Sequence, residues 1–393
     1  MQEPGRRHVF AGIDSRTDTA LPAWYADRVD DTDEVMTFSE AIRDLPRATT
    51  TEVAYRNPVS DEWVETERFN AVAEPSRLRQ QATGGGGKNV ADGSGSESVD
   101  PLFHVPSDSY TILNPVEVYA PLERVLREQT VDGRRLAEVA FGEIRQYRGG
   151  GEVHMDVLFD GLEVTLSDRR DPITMGVTSG YDFFGGHAVY VEGFARDTAC
   201  ANSIRSLTNK EVVRHVGGVE AFDDWWEEIL GQLDLVADDL AGFIDAAQGV
   251  TLEFTDLPFD VVGFYDLLDF PQYLAEQAAS DVRANAVNPF EIDMWTLHSG
   301  ATYALTHHFR GKEGTSLDGY QRVANDVLFN PEATIDRVQQ AYEQQTEEVE
   351  QEGLTSGRGQ ARIEQVGDDL RDAVEQFESR EEALRERFTQ VSN

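Results

Sequence analysis

Three things are scarce in this chain of 393 residues, and each scarcity excludes a class of structure. A single cysteine, Cys200, excludes an internal disulfide and suits a reducing cytoplasm. No apolar run approaches the roughly 18 residues of a membrane-spanning helix, and the N-terminal MQEPGRRHVF lacks the apolar core of a signal peptide. Lysine occurs only at Lys88, Lys210 and Lys312, so nearly all of the 34 basic side chains are arginine. We therefore expect a cytoplasmic protein without a membrane segment.

Acidic side chains dominate the charge. There are 73 Asp and Glu against 34 Lys and Arg, which gives a net charge of −39, and the acids are spread along the whole chain. This composition is typical of proteins that fold in molar salt, where the Debye length falls to about 3 Å and self-repulsion is screened. The alternatives are a nucleic-acid mimic or an acidic surface for a protein partner. In a halophilic protein the negative net charge does not exclude nucleic acid, because a local basic patch is sufficient.

The composition divides the chain into a folded body, a glycine-rich insertion and a charged tail. We predict a single α+β domain over 1–330, with a flexible insertion at 82–99 where the sequence is ATGGGGKNVADGSGSESV. The GGGGK run has the wrong glycine spacing for a phosphate-binding loop, and no Ser or Thr follows Lys88. Residues 331–393 are nearly all charged or Gln and are predicted to be helical.

A heptad pattern in the tail leaves two interpretations open. Apolar residues recur every seven positions, but Arg380 and Arg387 interrupt the companion positions. The tail is predicted either to form a coiled-coil oligomerisation arm or to lie as a helix on the protein's own surface. The heptad residues are Ile363, Leu370, Phe377, Leu384 and Val391.

Alternating apolar and polar residues predict an antiparallel sheet. Residues 51–73 form two candidate strands around Asn57-Pro58, and residues 137–196 contain five more. Asp160-Gly161 and Gly185-Gly186 are predicted hairpin turns, and the short connections favour antiparallel pairing. The five strand segments are AEVAFGEIRQY, EVHMDVLFD, LEVTLSD, ITMGVTSGY and HAVYVEGFA.

Helices are predicted both before and after the sheet strands in the sequence. Thr37 or Ser39 is placed to cap a helix at TFSEAIRDL, and an Asn-Pro pair marks a helix start at Asn114, Asn288 and Asn330. After residue 206 the apolar spacing becomes helical, with one long amphipathic helix through 222–244. The predicted fold class is α+β, an antiparallel sheet of five or more strands packed with helices, plus a charged C-terminal helical tail.

The order of several motifs resembles a known family. A strand ends in Tyr110, Asn114-Pro115 opens a helix, and a strand pair surrounds RGGGEV. A hairpin with Asp182 and paired glycines follows, then an Arg196 to Cys-Ala-Asn run and a helix with Trp295 and a His-His end. From about residue 23 to 312, this order resembles the phage- and plasmid-like proteins of the Domain of Unknown Function 932 family.

The resemblance implies an accessory gene of a mobile element, without a settled activity. Two departures from the family pattern concern the polar corner of the hairpin. Ser179-Gly180-Tyr181-Asp182 stands where the family usually has Ser-His-Asp-Gly, and three residues separate Arg196 from Cys200. If the family has chemistry at this corner, these changes put its retention here in question.

Arginines are enriched on the predicted sheet and its entry helix. Guanidinium groups suit phosphate, and Tyr147, Tyr181, Phe183 and Phe184 at neighbouring turns are placed to stack on bases. The alternative is that the arginines pair with local acids such as Asp168. The candidate nucleic-acid-binding residues are Arg134, Arg135, Arg145, Arg148, Arg169, Arg170, Arg196, Arg205 and Lys210.

Catalysis and metal binding have weaker support in the sequence. Cys200 makes a nucleophile–base pair only if folding brings it to His187 or His215. His298, His307 and His308 are histidines of one predicted helix, but the first and last lie about 80° apart around its axis. The sequence contains no His-x3-His or Cys-x2-Cys pair. We therefore predict no catalytic residue, no metal and no cofactor.

Two functions from different classes remain open at this point. The first is an accessory protein of a virus or plasmid in a high-salt organism, binding single-stranded nucleic acid, most simply single-stranded DNA, along the arginine-rich sheet. The second is a non-enzymatic structural or interaction protein that forms a homo-oligomer through its C-terminal helix.

Deletion of residues 361–393 tests the second function. If the heptads form a coiled coil, light scattering will show a lower mass for the truncated chain than for the full chain, because the oligomer loses its seam. Equal monomeric masses for both chains would remove the idea.

Overall fold

The computed structural model describes most of the predicted body. The described ranges are 6–16, 21–31, 34–83, 102–106, 110–131, 134–165, 172–184, 189–198, 202–205, 211–213, 222–310 and 315–351. Residues 84–99 of the predicted insertion, the Gly185-Gly186 turn and the heptad segment of the tail lie outside them.

The described residues contain fourteen strands. They are β1 (Arg6–Ala11), β2 (Thr49–Arg56), β3 (Trp63–Ala73), β4 (Leu102–His104), β5 (Thr130–Val131), β6 (Arg134–Arg135), β7 (Ala140–Tyr147), β8 (Glu152–Val164), β9 (Ile173–Asp182), β10 (Val189–Asp197), β11 (Ser203–Ile204), β12 (Glu211–Val213), β13 (Thr251–Glu253) and β14 (Glu291–Asp293).

The same residues contain eleven α-helices and a 3-10 turn at Arg148–Gly150. The helices are α1 (Ala23–Ala26), α2 (Phe38–Arg43), α3 (Pro75–Thr83), α4 (Pro115–Glu128), α5 (Leu136–Val139), α6 (Phe222–Gln248), α7 (Val261–Leu267), α8 (Gln272–Asn285), α9 (Met294–His308), α10 (Thr315–Phe329) and α11 (Pro331–Gln351). Among them, none is both long and apolar enough to cross a membrane.

Seven strands form the main sheet, in the order β1-β7-β8-β9-β10-β11, with β12 also paired to β10. Every strand pair in it is antiparallel. The predicted α+β class, with an antiparallel sheet of five or more strands, is confirmed. The predicted pair around Asn57-Pro58 is also observed, as β2 and β3 of a separate three-stranded sheet that β4 completes.

Two local predictions are wrong. Asp160-Gly161 is not a hairpin turn, because β8 runs through it and absorbs the extra residues as a shift in its pairing with β9 between Leu158 and Glu163. The helix predicted from Asn288 begins instead at Met294. Asn288 accepts a bond from the Phe290 backbone N–H in a local turn, and the short strand β14 intervenes.

Two predicted helix starts show the expected capping. The Thr37 hydroxyl accepts from the Glu40 N–H at 3.2 Å, and the Glu40 carboxylate accepts from the Thr37 N–H at 2.8 Å. At α4, the Glu117 carboxylate likewise accepts from the Asn114 N–H at 2.8 Å. The Asn114 side-chain oxygen accepts from the Ala48 N–H at 2.7 Å, so this residue also fixes the chain just before β2.

One face of the main sheet is apolar and carries the core. Ile144, Val153, Met155 and Val157 are buried on it, and helices α4 and α6 cover it. The Trp226 indole N–H donates to the Val118 carbonyl at 2.9 Å and joins these two helices. Burial of a continuous apolar face against amphipathic helices is the main source of stability in this layered arrangement.

The opposite face of the sheet is divided into an apolar half and a charged half. On the apolar half, the rings of Trp24 and Tyr25 from α1 pack edge-on against Phe141 with centroids 5.9 and 5.2 Å away. The charged half bears the buried Glu143, Asp156 and Glu192. These side chains lie in one row across the strands. Glu143 pairs with Asp156, Asp156 with Thr178, and Thr178 with Glu192.

Helices α7 to α11 pack beside the sheet, and they include the start of the predicted tail. Ile335 and Val338 of α11 are buried in the main core, and Arg337 pairs with Asp269 at 2.6 Å. The first turns after residue 330 therefore belong to the folded body, because their apolar residues have a surface to cover.

Replacement of Gly142 by Ala tests the closeness of β7 and β8. This glycine has a φ of 155°, and a Cβ there would lie 2.0 Å from the Asp156 carbonyl oxygen. We expect Gly142→Ala to lower the free energy of unfolding by about 3 kcal/mol. The control is Gly319→Ala in helix α10, where a Cβ meets nothing within 4 Å; it should raise stability by about 0.5 to 1 kcal/mol. Chemical denaturation in constant salt measures both, and equal effects would contradict the packing described.

Candidate nucleic-acid interface

Arg134 and Arg135, two of the predicted phosphate-binding residues, lie exposed on β6. Arg134 pairs with Asp160 at 3.2 Å, and Arg135 pairs with Glu138 three residues further along the chain. Each guanidinium is therefore already neutralised by its own carboxylate, which is the alternative that the sequence left open.

Arg148 occupies the turn between β7 and β8 with a positive φ of 50°. Its guanidinium lies over the Phe184 ring, 3.3 Å from the centroid, and 4.0 Å from the Glu152 carboxylate. The aromatic residues expected to stack on bases nearby are enclosed, since Tyr147, Tyr181 and Phe183 are all buried. The turn is thus packed against the protein rather than open to a base.

Arg145, Arg196 and Arg205 do converge, but they converge on a buried carboxylate. Terminal nitrogens of Arg145 and Arg196 lie 3.1 and 3.0 Å from one oxygen of Asp156, which is 1% exposed. The Thr178 hydroxyl donates to the other oxygen at 2.6 Å.

The pKa of Asp156 depends on two opposing effects, burial of the carboxylate and the positive charges around it. Burial by itself raises the pKa, but the charges of Arg145, Arg196 and Arg205 and the Thr178 hydrogen bond outweigh it, so the pKa lies far below its ordinary value of 3.8. The cluster is an internal ion network in which the arginines hold the acid ionised.

The three remaining predicted residues, Arg169, Arg170 and Lys210, lie outside the described ranges. Of the six described ones, three face buried Asp156 and three have separate acidic neighbours. The structure therefore does not gather the described members of the predicted set on one open surface, and their role in nucleic-acid binding remains a prediction.

The described histidine candidates form no common site either. His298 is buried, its Nδ1 donates to the Ala324 carbonyl at 2.8 Å, and burial lowers its pKa to about 4. His307 and His308 lie at the far end of α9 against the ring of Tyr303. Cys200, His187 and His215 lie outside the described ranges. Within those ranges, no cluster of three His, Cys, Asp or Glu side chains suits a metal ion.

An arginine-lined pocket lies elsewhere, at the end of β1 and α2. It has a volume of about 820 Å³, and its ionisable lining consists of five arginines and two carboxylates, a net charge of +3. We call it the arginine pocket. Its charged residues are Arg6, Arg43, Arg47, Arg77, Arg79, Asp44 and Glu74.

The two acids of the arginine pocket form ion pairs with two of its arginines. Arg6 pairs with Asp44 at 2.7 Å, and Arg77 pairs with Glu74 at 2.5 Å. Arg77 also donates to the Gly149 carbonyl, which fixes it to the wall. Arg47 is exposed and makes no ion pair or hydrogen bond with any described residue.

Local structure explains why these residues meet. Helix α2 ends at Arg43, and the turn through Pro46 leads past Arg47 into β2. Strand β3 returns to Ala73, after which α3 carries Arg77 and Arg79. The opposite wall is formed by Gly149 and Gly150, whose φ values of 71° and 85° suit glycine. The pocket therefore joins segments far apart in the chain, from Arg6 to Gly150.

A buried histidine lies next to Asp44 of the arginine pocket. His8 is buried, and burial followed by the charge of Arg6 lowers its pKa, although Asp44 opposes the shift. Its Nε2 lies 3.3 Å from Asp44 and 3.3 Å from the Gln146 amide nitrogen. The positive charge of the pocket therefore comes from guanidinium groups and does not depend on His8.

Sequence reasoning missed the arginine pocket because it sought arginines on the sheet. The available signal was the spacing of Arg43 and Arg47 around a Leu-Pro turn and the Arg77-Leu78-Arg79 run, in a chain with so few cations. What the sequence does not show is that these two segments face each other.

No protein-family model, no curated protein and no solved structure matches this chain. The resemblance to the Domain of Unknown Function 932 family therefore remains a prediction.

Asp156→Asn tests the buried ion network. Its lowered pKa means that ionised Asp156 contributes stability above about pH 4, and this contribution is lost as the pH falls toward the lowered pKa. We expect Asp156→Asn to cost about 3 to 5 kcal/mol at neutral pH, because three arginines lose their counter-charge. The difference from wild type should shrink below about pH 4.

The matched control is Asp61→Asn, which breaks an exposed pair with Arg56 and should cost less than about 1 kcal/mol. Denaturant unfolding at constant salt is measured across pH. A cost for Asp156→Asn no larger than the control's would show that the network is not a stabilising centre.

Proposed function

We propose that this protein binds single-stranded nucleic acid, with phosphate groups of the strand seated in the arginine pocket. In this proposal it acts in the cytoplasm of a high-salt organism, as an accessory protein of a virus or plasmid. The single observation that carries the binding role is the local charge: the pocket has a net charge of +3 within a chain of net charge −39.

The chemistry of the pocket suits phosphate. Guanidinium groups present planar forks of N–H donors that match phosphate oxygens in pairs. Arg43 and Arg47 are exposed, and among the described residues Arg43 donates only from its Nε, to the Ser39 carbonyl at 2.9 Å. A volume of about 820 Å³ also falls within the usual range for ligand pockets.

The concave shape favours a flexible strand over a duplex. A double helix is stiff over about 150 base pairs, so its backbone does not bend into a pocket of this size without a large cost. A single strand turns freely and can place successive phosphates against different walls.

The sheet arginines are weaker candidates for the same role. Arg145 and Arg196 already surround Asp156, and the exposed Arg134 and Arg135 each have an acid within contact. Binding a phosphate there requires breaking an existing pair, whereas Arg47 has no described pair to break. For this reason we assign the pocket, and not the sheet surface, as the primary site.

A charge-matched pair of double variants tests the proposal. Arg43→Gln/Arg47→Gln removes two pocket charges, and Arg134→Gln/Arg135→Gln removes two charges from the sheet side. We expect the pocket variant to weaken binding of a labelled oligo-dT of about 20 nucleotides roughly tenfold, and the control variant to leave it within about twofold. Fluorescence anisotropy in KCl between about 1 and 3 M measures the affinities.

The salt dependence adds a second readout. Each lost phosphate contact should reduce the slope of log affinity against log salt by about 0.7 for a single strand. No measurable binding by wild type would overturn the proposal, and a loss confined to the control variant would return the site to the predicted sheet arginines.

A further inference from the structure

The outer half of the β2–β3 hairpin projects from the body and carries an exposed tryptophan. Trp63 is 72% exposed and Tyr55 is 51% exposed, and the residues of the turn between the strands are nearly all exposed as well. Isolated two-stranded ribbons are marginally stable, and large apolar side chains in contact with water usually mark a binding surface. The hairpin therefore presents apolar area that the described parts of the chain do not cover.

The register of the hairpin places Trp63 next to a cation. Arg56 pairs directly with Trp63 across the strands, so both lie on one face of the ribbon, while Tyr55 and Val64 lie on the other. The Arg56 guanidinium is exposed and contacts Asp61 at 2.7 Å. Because Arg56 is already paired with Asp61, the contact that this face offers to a strand is the flat, exposed ring of Trp63, which suits a nucleobase.

The hairpin begins and ends at the arginine pocket. Ala48 and Glu74 line the pocket, and they directly precede β2 and follow β3. From Ala48 to Arg56 the extended chain spans about 26 Å at the strand rise of about 3.3 Å per residue. At the 3.4 Å spacing of stacked nucleotides, a strand of about eight nucleotides reaches from the pocket to Trp63.

Neither neighbour of the arginine pocket continues its positive charge, so charge alone does not set the direction of the strand. A second concavity of about 510 Å³ shares Arg43 and Asp44 with the arginine pocket. Its ionisable lining has three acids, Glu34, Glu40 and Asp44, against two arginines, so phosphates are disfavoured there. The hairpin also bears acids, with Glu65 on the Trp63 face, so its advantage over the second concavity is the exposed ring of Trp63, because stacking on a ring carries no charge.

High salt gives the stacking contact its importance. Phosphate binding by arginines loses affinity as salt rises, because the gain from counterion release disappears. Stacking of a base on an aromatic ring has no such dependence. A protein that folds in molar salt and binds a strand by only a few phosphates therefore needs a contact that salt does not weaken.

We infer that Trp63 stacks on an unpaired base of the strand whose phosphates occupy the arginine pocket, with Arg56 beside it. The inference rests on the proposed function, which assigns a site to the phosphates of the strand but none to its bases. It adds a site for one base. It also predicts that single strands are preferred over duplexes, since a paired base does not offer its face to the ring.

The test compares Trp63→Ala with Val59→Ala, a change at an exposed apolar residue in the turn of the same hairpin. For oligo-dT of about 20 nucleotides, Trp63→Ala should weaken binding about tenfold at every salt concentration, while the slope against log salt stays unchanged. Val59→Ala should bind as wild type does, and Trp63→Phe should keep most of the affinity.

Two further ligands separate stacking from a structural effect. An oligo-dT of about three nucleotides is too short to span pocket and hairpin even with an extended backbone, so it should bind wild type and Trp63→Ala equally. An abasic strand of full length should likewise not distinguish them. Circular dichroism and light scattering check that each variant keeps its fold and mass.

The outcomes distinguish this inference from the proposed function. Suppose that wild type binds oligo-dT, that Arg43→Gln/Arg47→Gln binds it more weakly, and that Trp63→Ala binds it like wild type. The inference about Trp63 is then overturned and the proposed function stands. If Trp63→Ala changes the mass in light scattering and not the affinity, the hairpin is a self-association surface and the inference is likewise overturned. If wild type binds no oligonucleotide, both fail.

Discussion

The ionised carboxylate of Asp156 is the group on which the charged half of the main sheet depends. It lies on β8, and the arginines that hold it come from β7, β10 and the end of β11, so four segments are tied through one side chain. A buried charge is tolerated only when its partners are equally well placed. At Gly142 of β7 the backbone of Asp156 also lies so close that no side chain fits. The charged half of this sheet face is therefore organised by electrostatic matching, while the opposite face of the sheet is organised by apolar burial.

Arginines in this protein fall into two groups by their surroundings. Most of the described ones on or near the sheet have a carboxylate in contact. Those of the arginine pocket outnumber the acids beside them, and that excess marks the site. In dilute buffer such a contrast would be obscured by long-range fields from so many acids. In molar salt only contacts within a few ångströms count, so a small cationic pocket can act independently of the net charge.

Periodicity and turn chemistry predicted much of the fold, because they are local. The caps at Thr37 and Asn114, the long helix α6 and the antiparallel pairing of β9 with β10 follow from residues close in sequence. The hairpin turn predicted at Asp160-Gly161 was wrong because bulges and hairpin turns use the same residue types. The site was missed for a different reason. Charge clustering in sequence identified arginines that fold against Asp156, whereas the arginine pocket arises from segments that only tertiary structure brings together.

The cations that line the arginine pocket are all guanidinium groups, and this chemistry determines what can regulate the site. A guanidinium does not release its proton at any pH a cell reaches, and burial lowers the pKa of the neighbouring His8. Between about pH 6 and pH 10, where carboxylates stay ionised and guanidinium groups stay protonated, a change of pH therefore leaves the pocket's net charge of +3 unaltered. If the pocket binds phosphate as proposed, osmotic change, rather than proton supply, is the variable to which its occupancy responds.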